Sequence, residues 1–153
     1  MAAVARRSGD EMTMDRVLYQ IDAFTDRLFG GNPAGVVPYA DDMTAAQMQA
    51  LARELNNSET AFISRDASPD YDLHIRYFTP TAEVPVCGHA TIGSFHALQE
   101  MGLVAEGGTY IDETLSGTLE VVVGKDAILM DMAKPQTFQR LETPEELEEE
   151  EIE

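Results

Sequence analysis

The stretch that most restricts what this chain can become is Cys87-Gly88-His89-Ala90-Thr91-Ile92-Gly93-Ser94-Phe95-His96-Ala97-Leu98. Carried on to Met101, its apolar residues Ala90, Ile92, Gly93, Phe95, Ala97, Leu98 and Met101 point in nearly every direction around a helical spiral. That is the pattern of a helix enclosed by other structure rather than one lying on a surface. Gly102 stops it as a C-terminal glycine does. At the other end Gly88 lets groups approach the backbone closely. The free N–H groups of the first turn, with the positive end of the helix dipole, suit a carboxylate or phosphate. The segment therefore points to a small anionic ligand held around Gly88, His89, Ala90 and Thr91. Periodicity alone leaves a plainer reading equally open, in which Gly88 makes a tight turn and His89 caps or packs.

The rest of the chain supplies strands for that helix to lie against. Residues 17–24 are strand-like, with Val17, Tyr19 and Ile21 on one face, and run into a loop and short strand containing Gly30, Gly31, Asn32, Pro33 and Gly35. The glycines are wrongly spaced for a dinucleotide fingerprint, and a proline stands where its helix should open. Asn32 is the polar residue here best able to face a ligand, although Asn before Pro is more often a turn former. Thr44 with Gln47 forms a capping box, Met43 with Met48 a hydrophobic staple, and Met48, Leu51, Ala52 and Leu55 line one side of an amphipathic helix ending near Asn56.

Glu59 follows at once, between the negative end of that helix and an apolar strand, where a carboxylate can serve as a general base; a solvated glutamate at a junction is the bland alternative. Residues 71–79 alternate Leu73, Ile75 and Tyr77 with His74, Arg76 and Phe78, a half-buried strand closed by Pro80, with His74 on the surface. Residues 81–86 read as loop. Residues 109–113, 118–124 and 127–133 read as three strands joined by tight turns. Strands on both sides of one buried helix imply an α+β fold, a sheet curled round that helix.

Charge bears on partners. The chain of 153 residues has a net charge of −18, and residues 142–153 hold 8 of its 28 acidic residues and no Lys or Arg. The body keeps 20 acidic against 10 basic residues, so it is acidic without its tail. That field argues against nucleic acid or an anionic membrane as partner. One cysteine excludes an internal disulfide and a multi-cysteine zinc site and points to a reducing, cytoplasmic compartment. Residues 1–14 lack periodicity and read as a disordered extension, with 15–140 as the folded lobe. At Thr143-Pro144-Glu145-Glu146 a helix-start signal opens residues 141–153, either an acidic tail or the start of a missing second lobe.

Taken together these residues resemble the N-terminal lobe of PhzF-like, phenazine-biosynthesis-type isomerases, relatives of diaminopimelate epimerase and proline racemase. The carriers are Asp22-Ala23-Phe24-Thr25, Phe29-Gly30-Gly31-Asn32-Pro33-Ala34-Gly35, Asn57-Ser58-Glu59-Thr60-Ala61-Phe62, Arg76-Tyr77-Phe78-Thr79-Pro80, Glu83-Val84-Pro85-Val86-Cys87-Gly88-His89-Ala90-Thr91 and Met132-Ala133-Lys134-Pro135. The resemblance implies an antiparallel sheet wrapped around a central helix and a proton-transferring isomerase that uses no cofactor and no metal. It places the family's catalytic glutamate on Glu59 and its ligand-binding turn on Gly88 and His89. Cys87 matches a proton-transfer thiol of the wider superfamily, with a pKa that the helix N-terminus should lower; a buried small apolar role is equally open to it. Members are two-lobed, so the chain should need a second lobe, a partner chain or a second copy of itself. The alternative is a catalytically incomplete carboxylate-binding lobe. A thiol hydrolase on Cys87 is a distant third, since His89 on the same helix turn looks poorly placed as its base.

Overall fold

In this computed structural model residues 2–6, 15–27, 29–66 and 68–131 are described. In chain order they form β1 (Ala2–Arg6), β2 (Asp15–Ala23), β3 (Asn32–Val37), α1 (Ala45–Leu55), β4 (Glu59–Ser64), β5 (Leu73–Phe78), β6 (Glu83–Val84), α2 (Gly88–Glu100), β7 (Thr109–Thr114), β8 (Gly117–Val123) and β9 (Ile128–Met130). The strands make one sheet in the order β1-β2-β3-β4-β5-β7-β8-β9, with β6 added to β5. Strands β2 and β9 lie far apart along that order, yet both touch α2. The sheet therefore curls round the helix, as the sequence led us to expect.

Two pairings depart from a wholly antiparallel sheet: β3 with β4 and β5 with β7 are parallel. The reason is in the connections. α1 lies between the first pair and α2 between the second, and a helical crossover returns the chain in its original direction. Two smaller differences concern the segments read as irregular. Residues 2–6 pair with β2 from Ala2↔Tyr19 to Arg6↔Asp15 rather than forming part of a disordered extension; the edge of β2 offers unpaired backbone groups that an adjoining segment can satisfy. Within the expected loop 81–86, Glu83 and Val84 pair with Phe78 and Tyr77. The Arg76 guanidinium clamps Glu83 through two bonds of 2.8 Å, and these bonds, with its charge, hold the Glu83 carboxyl below the usual range. The helix signal at Thr143, the acidic run and the motif beginning at Met132 lie outside the described residues.

The sheet is apolar on both faces. One face packs Ile21, Ala34, Val36, Ala61, Ile63, Ile75, Tyr77, Val121 and Val123 against Ala90, Phe95, Ala97 and Leu98 of α2. The other places Leu18, Val37, Phe62 and Phe78 against Met48 and Ala52 of α1, with Phe62 and Phe78 edge to face at 5.5 Å. Strand residues alternate between these clusters, as a period of two requires. Gly93 in α2 lies against Ile21, where a Cβ would sit 3.4 Å from that side chain. Both helices end as their sequences indicate. Thr44 and Gln47 complete the capping box of α1, and Met43 packs with Met48 in one cluster. Past α2, Gly102 takes a φ of 73°, its N–H bonds Gln99 O, and Leu103 N–H bonds Leu98 O. This is the paired closure that glycine at that position permits.

Candidate active site

The site begins where α1 hands over to β4. Asn56 turns the chain in the left-handed region, with a φ of 53°, and its N–H closes on Ala52 O. Ser58 and Glu59 then enter the sheet, Glu59 in parallel register with Ala34. The N-terminus of α2 arrives beside them. His89 Nε2 lies 3.2 Å from Ser58 Oγ and 3.1 Å from Glu59 Oε2, while His89 Nδ1 lies 3.1 Å from Cys87 Sγ. Glu59 Oε2 is buried and, despite that proximity, has no aligned hydrogen-bond donor among the described residues. One donor atom from each of Glu59, Cys87 and His89 can be chosen so that all lie within 4.8 Å of one another. An acid, a thiol and an imidazole thus converge on one helix end, and together they form the one grouping that could hold a metal ion among the described residues.

Gly88 opens α2, and a Cβ built on it would meet nothing within 4 Å. Its φ is not in the positive range. Neither a strained turn nor a tight internal contact calls for glycine here; the space in front of the backbone is open instead. The turn reading of Gly88 therefore loses its support. Of the N–H groups named from sequence, that of Thr91 is already bonded to Cys87 O at 3.0 Å, those of His89 and Ala90 face the Cys87 thiol, and that of Gly88 lies at the open front of the helix. Ala90 and Thr91 are fully buried, so their side chains brace the helix end from behind. Asn32 is the exposed first residue of β3, two positions before the partner of Glu59, at the same end of the sheet.

Two sequence expectations about Cys87 need correction. Burial pushes its thiol up to about 11; Glu59 adds to the rise, and the N–H groups of Ala90 and His89 oppose it without prevailing. Desolvation here outweighs the helix-terminus effect that was expected to make the thiol acidic. His89 also reaches the thiol, because Cys87 precedes the helix in an extended conformation (φ −140°, ψ 121°) that turns its side chain back over the first turn. Contact alone does not make a hydrolase, since a thiol raised so far is not a ready nucleophile.

Behind the helix end runs a buried chain that sequence reading missed. Thr91 Oγ1 donates to Cys87 O at 2.8 Å and lies 2.7 Å from Tyr77 OH, which is 3.1 Å from Asp112 Oδ2. Asp112 is fully buried, with Oδ1 unpartnered among the described residues. Burial pushes its carboxyl up to about 8; the Tyr77 hydroxyl and the Ile75 N–H work against this, and Glu113 adds to it. In sequence Asp112 is one polar residue in an alternating strand, and its burial shows only once β7 pairs beside β5. A groove of about 460 Å3 between the end of β2, the middle of α2 and the turn before β9 holds none of the Glu59 cluster.

A mixed sheet curled round one helix, with an acid, an imidazole and a thiol at the helix N-terminus, defines an epimerase-like lobe. Residues 21–151 match the model of the phenazine biosynthesis-like protein family, PhzC-PhzF, and the chain belongs to that family. It is 60% identical over 80 residues to an uncharacterized isomerase of Clostridium acetobutylicum, covering 52% of this chain and 26% of that protein. With the uncharacterized isomerase YddE of Escherichia coli K12 it shares 48% over 108 residues, 71% of this chain and 35% of the relative. The crystal structure of a PhzF-family protein from Bacillus anthracis superposes with a TM-score of 0.73 at 37% identity, covering 85% of this chain and 44% of that one. The chain thus spans between a quarter and a half of these relatives' length.

Proposed function

We propose that this chain is the N-terminal lobe of a cofactor-independent isomerase that moves a carbon-bound proton on a small carboxylate substrate. The observation that carries the reading is the convergence of Glu59 with His89 at the open N-terminus of α2. The substrate carboxylate would lie against the N–H groups of Gly88, His89 and Ala90, whose orientation is fixed before the substrate arrives. When the neighbouring carbon loses its proton to Glu59, the electron pair moves into that carboxylate, and donors already in place stabilise the charge. Glu59 then returns the proton elsewhere on the substrate. His89, beside Ser58 and Glu59, would steady both the acid and the bound anion, and Asn32 would contribute from the β3 edge.

A second lobe, from a longer chain, a partner or another copy, would complete the cleft. Exposed apolar side chains favour this. Phe29, three residues before Asn32, is 85% exposed, and Val86, just before Cys87, is also exposed. The relatives' greater length supports it as well, and the same facts sustain the rival reading of a lobe that binds carboxylates without turning them over. Calorimetry with a panel of small carboxylic acids, joined to deuterium incorporation in D2O, separates the two. The isomerase reading expects binding with exchange that disappears in Glu59→Gln; binding without any exchange supports the rival.

A further inference from the structure

The Glu59 cluster has a donor composition beyond what the proton transfer proposed above uses. A base and an anion-binding helix end need no thiol, yet Cys87 Sγ lies 3.1 Å from the imidazole and within the same 4.8 Å sphere as the carboxylate. We propose that Glu59, Cys87 and His89 form a binding site for a borderline-soft divalent metal ion, zinc above all, with a fourth position left open in front of Gly88.

The donor set selects the metal. One thiolate, one imidazole and one carboxylate suit zinc or cobalt, whereas calcium and magnesium seek shells of oxygen. The geometry is close to what such an ion needs. Tetrahedral zinc with bonds of about 2.0–2.3 Å sets its donors about 3.3–3.6 Å apart, and here the donors already lie within 4.8 Å of one another, with His89 Nε2 and Glu59 Oε2 at 3.1 Å. Small side-chain rotations close the remainder. Glu59 Oε2 is buried, 3.1 Å from His89 Nε2 and without an aligned hydrogen-bond donor among the described residues, so its lone pairs are available to an ion. The open space at Gly88 leaves the fourth place to water or a small anion, the arrangement of a three-ligand zinc site rather than a closed structural one. The acidic body of the protein adds a field that attracts cations.

Metal binding stands independently of the proposed isomerase activity, but one consequence rests on it: a metal held by Glu59 removes the base, so the ion acts as an inhibitor rather than a cofactor. The test uses the full 153-residue chain and cobalt(II) as probe. One equivalent should produce a thiolate-to-cobalt charge-transfer band in the near ultraviolet and the strong visible bands of a four-coordinate ion, and zinc should displace it. Since Cys87 is the chain's one cysteine, the charge-transfer band assigns the site without any variant, provided it does not depend on protein concentration. Cys87→Ser should remove the band. Glu59→Gln and His89→Asn should weaken cobalt by more than the roughly 10–100-fold that loss of an outer partner costs. A pale six-coordinate spectrum without the band in the wild-type chain overturns the proposal, as does a band unchanged in both Glu59→Gln and His89→Asn. The deuterium-exchange assay is scored separately. If exchange is found, zinc should abolish it; if none is found in metal-free protein, the isomerase reading fails while the cobalt spectrum still decides the site.

Discussion

Replacing Asp112 by asparagine should flatten the dependence of the lobe's stability on pH. Asp112 is fully buried against Tyr77, and burial moves its carboxyl from an ordinary 3.8 up to about 8. A raised folded-state value means that the native protein holds the proton more tightly than the unfolded chain does. The contribution is whole below pH 3.8, falls between 3.8 and about 8 as only the unfolded chain ionises, and is gone above about 8. The slope is about 1.4 kcal/mol per pH unit, so the loss across that window is roughly 5–6 kcal/mol, comparable to the whole stability of many domains. Asparagine keeps the shape, and its amide oxygen can accept the Tyr77 hydroxyl as Asp112 Oδ2 does, but it carries no titrating proton. Urea unfolding of both proteins from pH 4 to pH 9 checks this. The difference between the two curves cancels the other carboxylates and isolates Asp112. Near pH 4 the two should be close; by pH 8 the asparagine variant should be more stable by several kcal/mol. Parallel curves with a constant offset would refute the reasoning.

Other consequences are open to simpler measurements. Alkylation of Cys87 by iodoacetamide should keep accelerating as pH rises toward about 11, where burial has pushed its thiol; a plateau below pH 8 would mean that the helix N-terminus prevails after all. Gly35→Ala would set a Cβ 2.9 Å from Thr60 Oγ1 and 3.1 Å from Leu55 Cδ1, a crowding expected to cost ~1–3 kcal/mol by urea midpoint. Thr44→Ala removes the capping-box acceptor of Gln47 N–H and should cost ~1 kcal/mol, with little change in the fold by circular dichroism.

What the sequence disclosed follows from how local each signal is. The capping box at Thr44, the glycine stop at Gly102 and the all-round apolar character of α2 are written in neighbouring residues, and each is found where it was read. The parallel pairings were not legible, because a strand's direction relative to its neighbour depends on which strands meet. That is settled by packing across α1 and α2 rather than by alternation. For the same reason the cluster could be anticipated only as separate parts. Glu59 and His89 lie thirty residues apart in the chain, and no spacing rule brings them to 3.1 Å. Cys87 shows the limit most clearly: helix position suggested an acidic thiol, whereas burial, a property of the fold, drives it the other way. Asp112 escaped notice altogether, since a polar residue in an alternating strand reads as solvent-facing until the second half of the sheet folds over it.

The most direct test of the account is proton exchange at a substrate carbon. The chain is incubated in D2O with a panel of small carboxylic acids, deuterium incorporation is followed by mass spectrometry, and the amides of Gly88, His89 and Ala90 are followed by NMR during the same titrations. The account predicts that an acid which shifts those amides also gains deuterium, and that Glu59→Gln keeps the shifts while losing the exchange. Exchange retained in Glu59→Gln, or binding that leaves these amides unmoved, would contradict it.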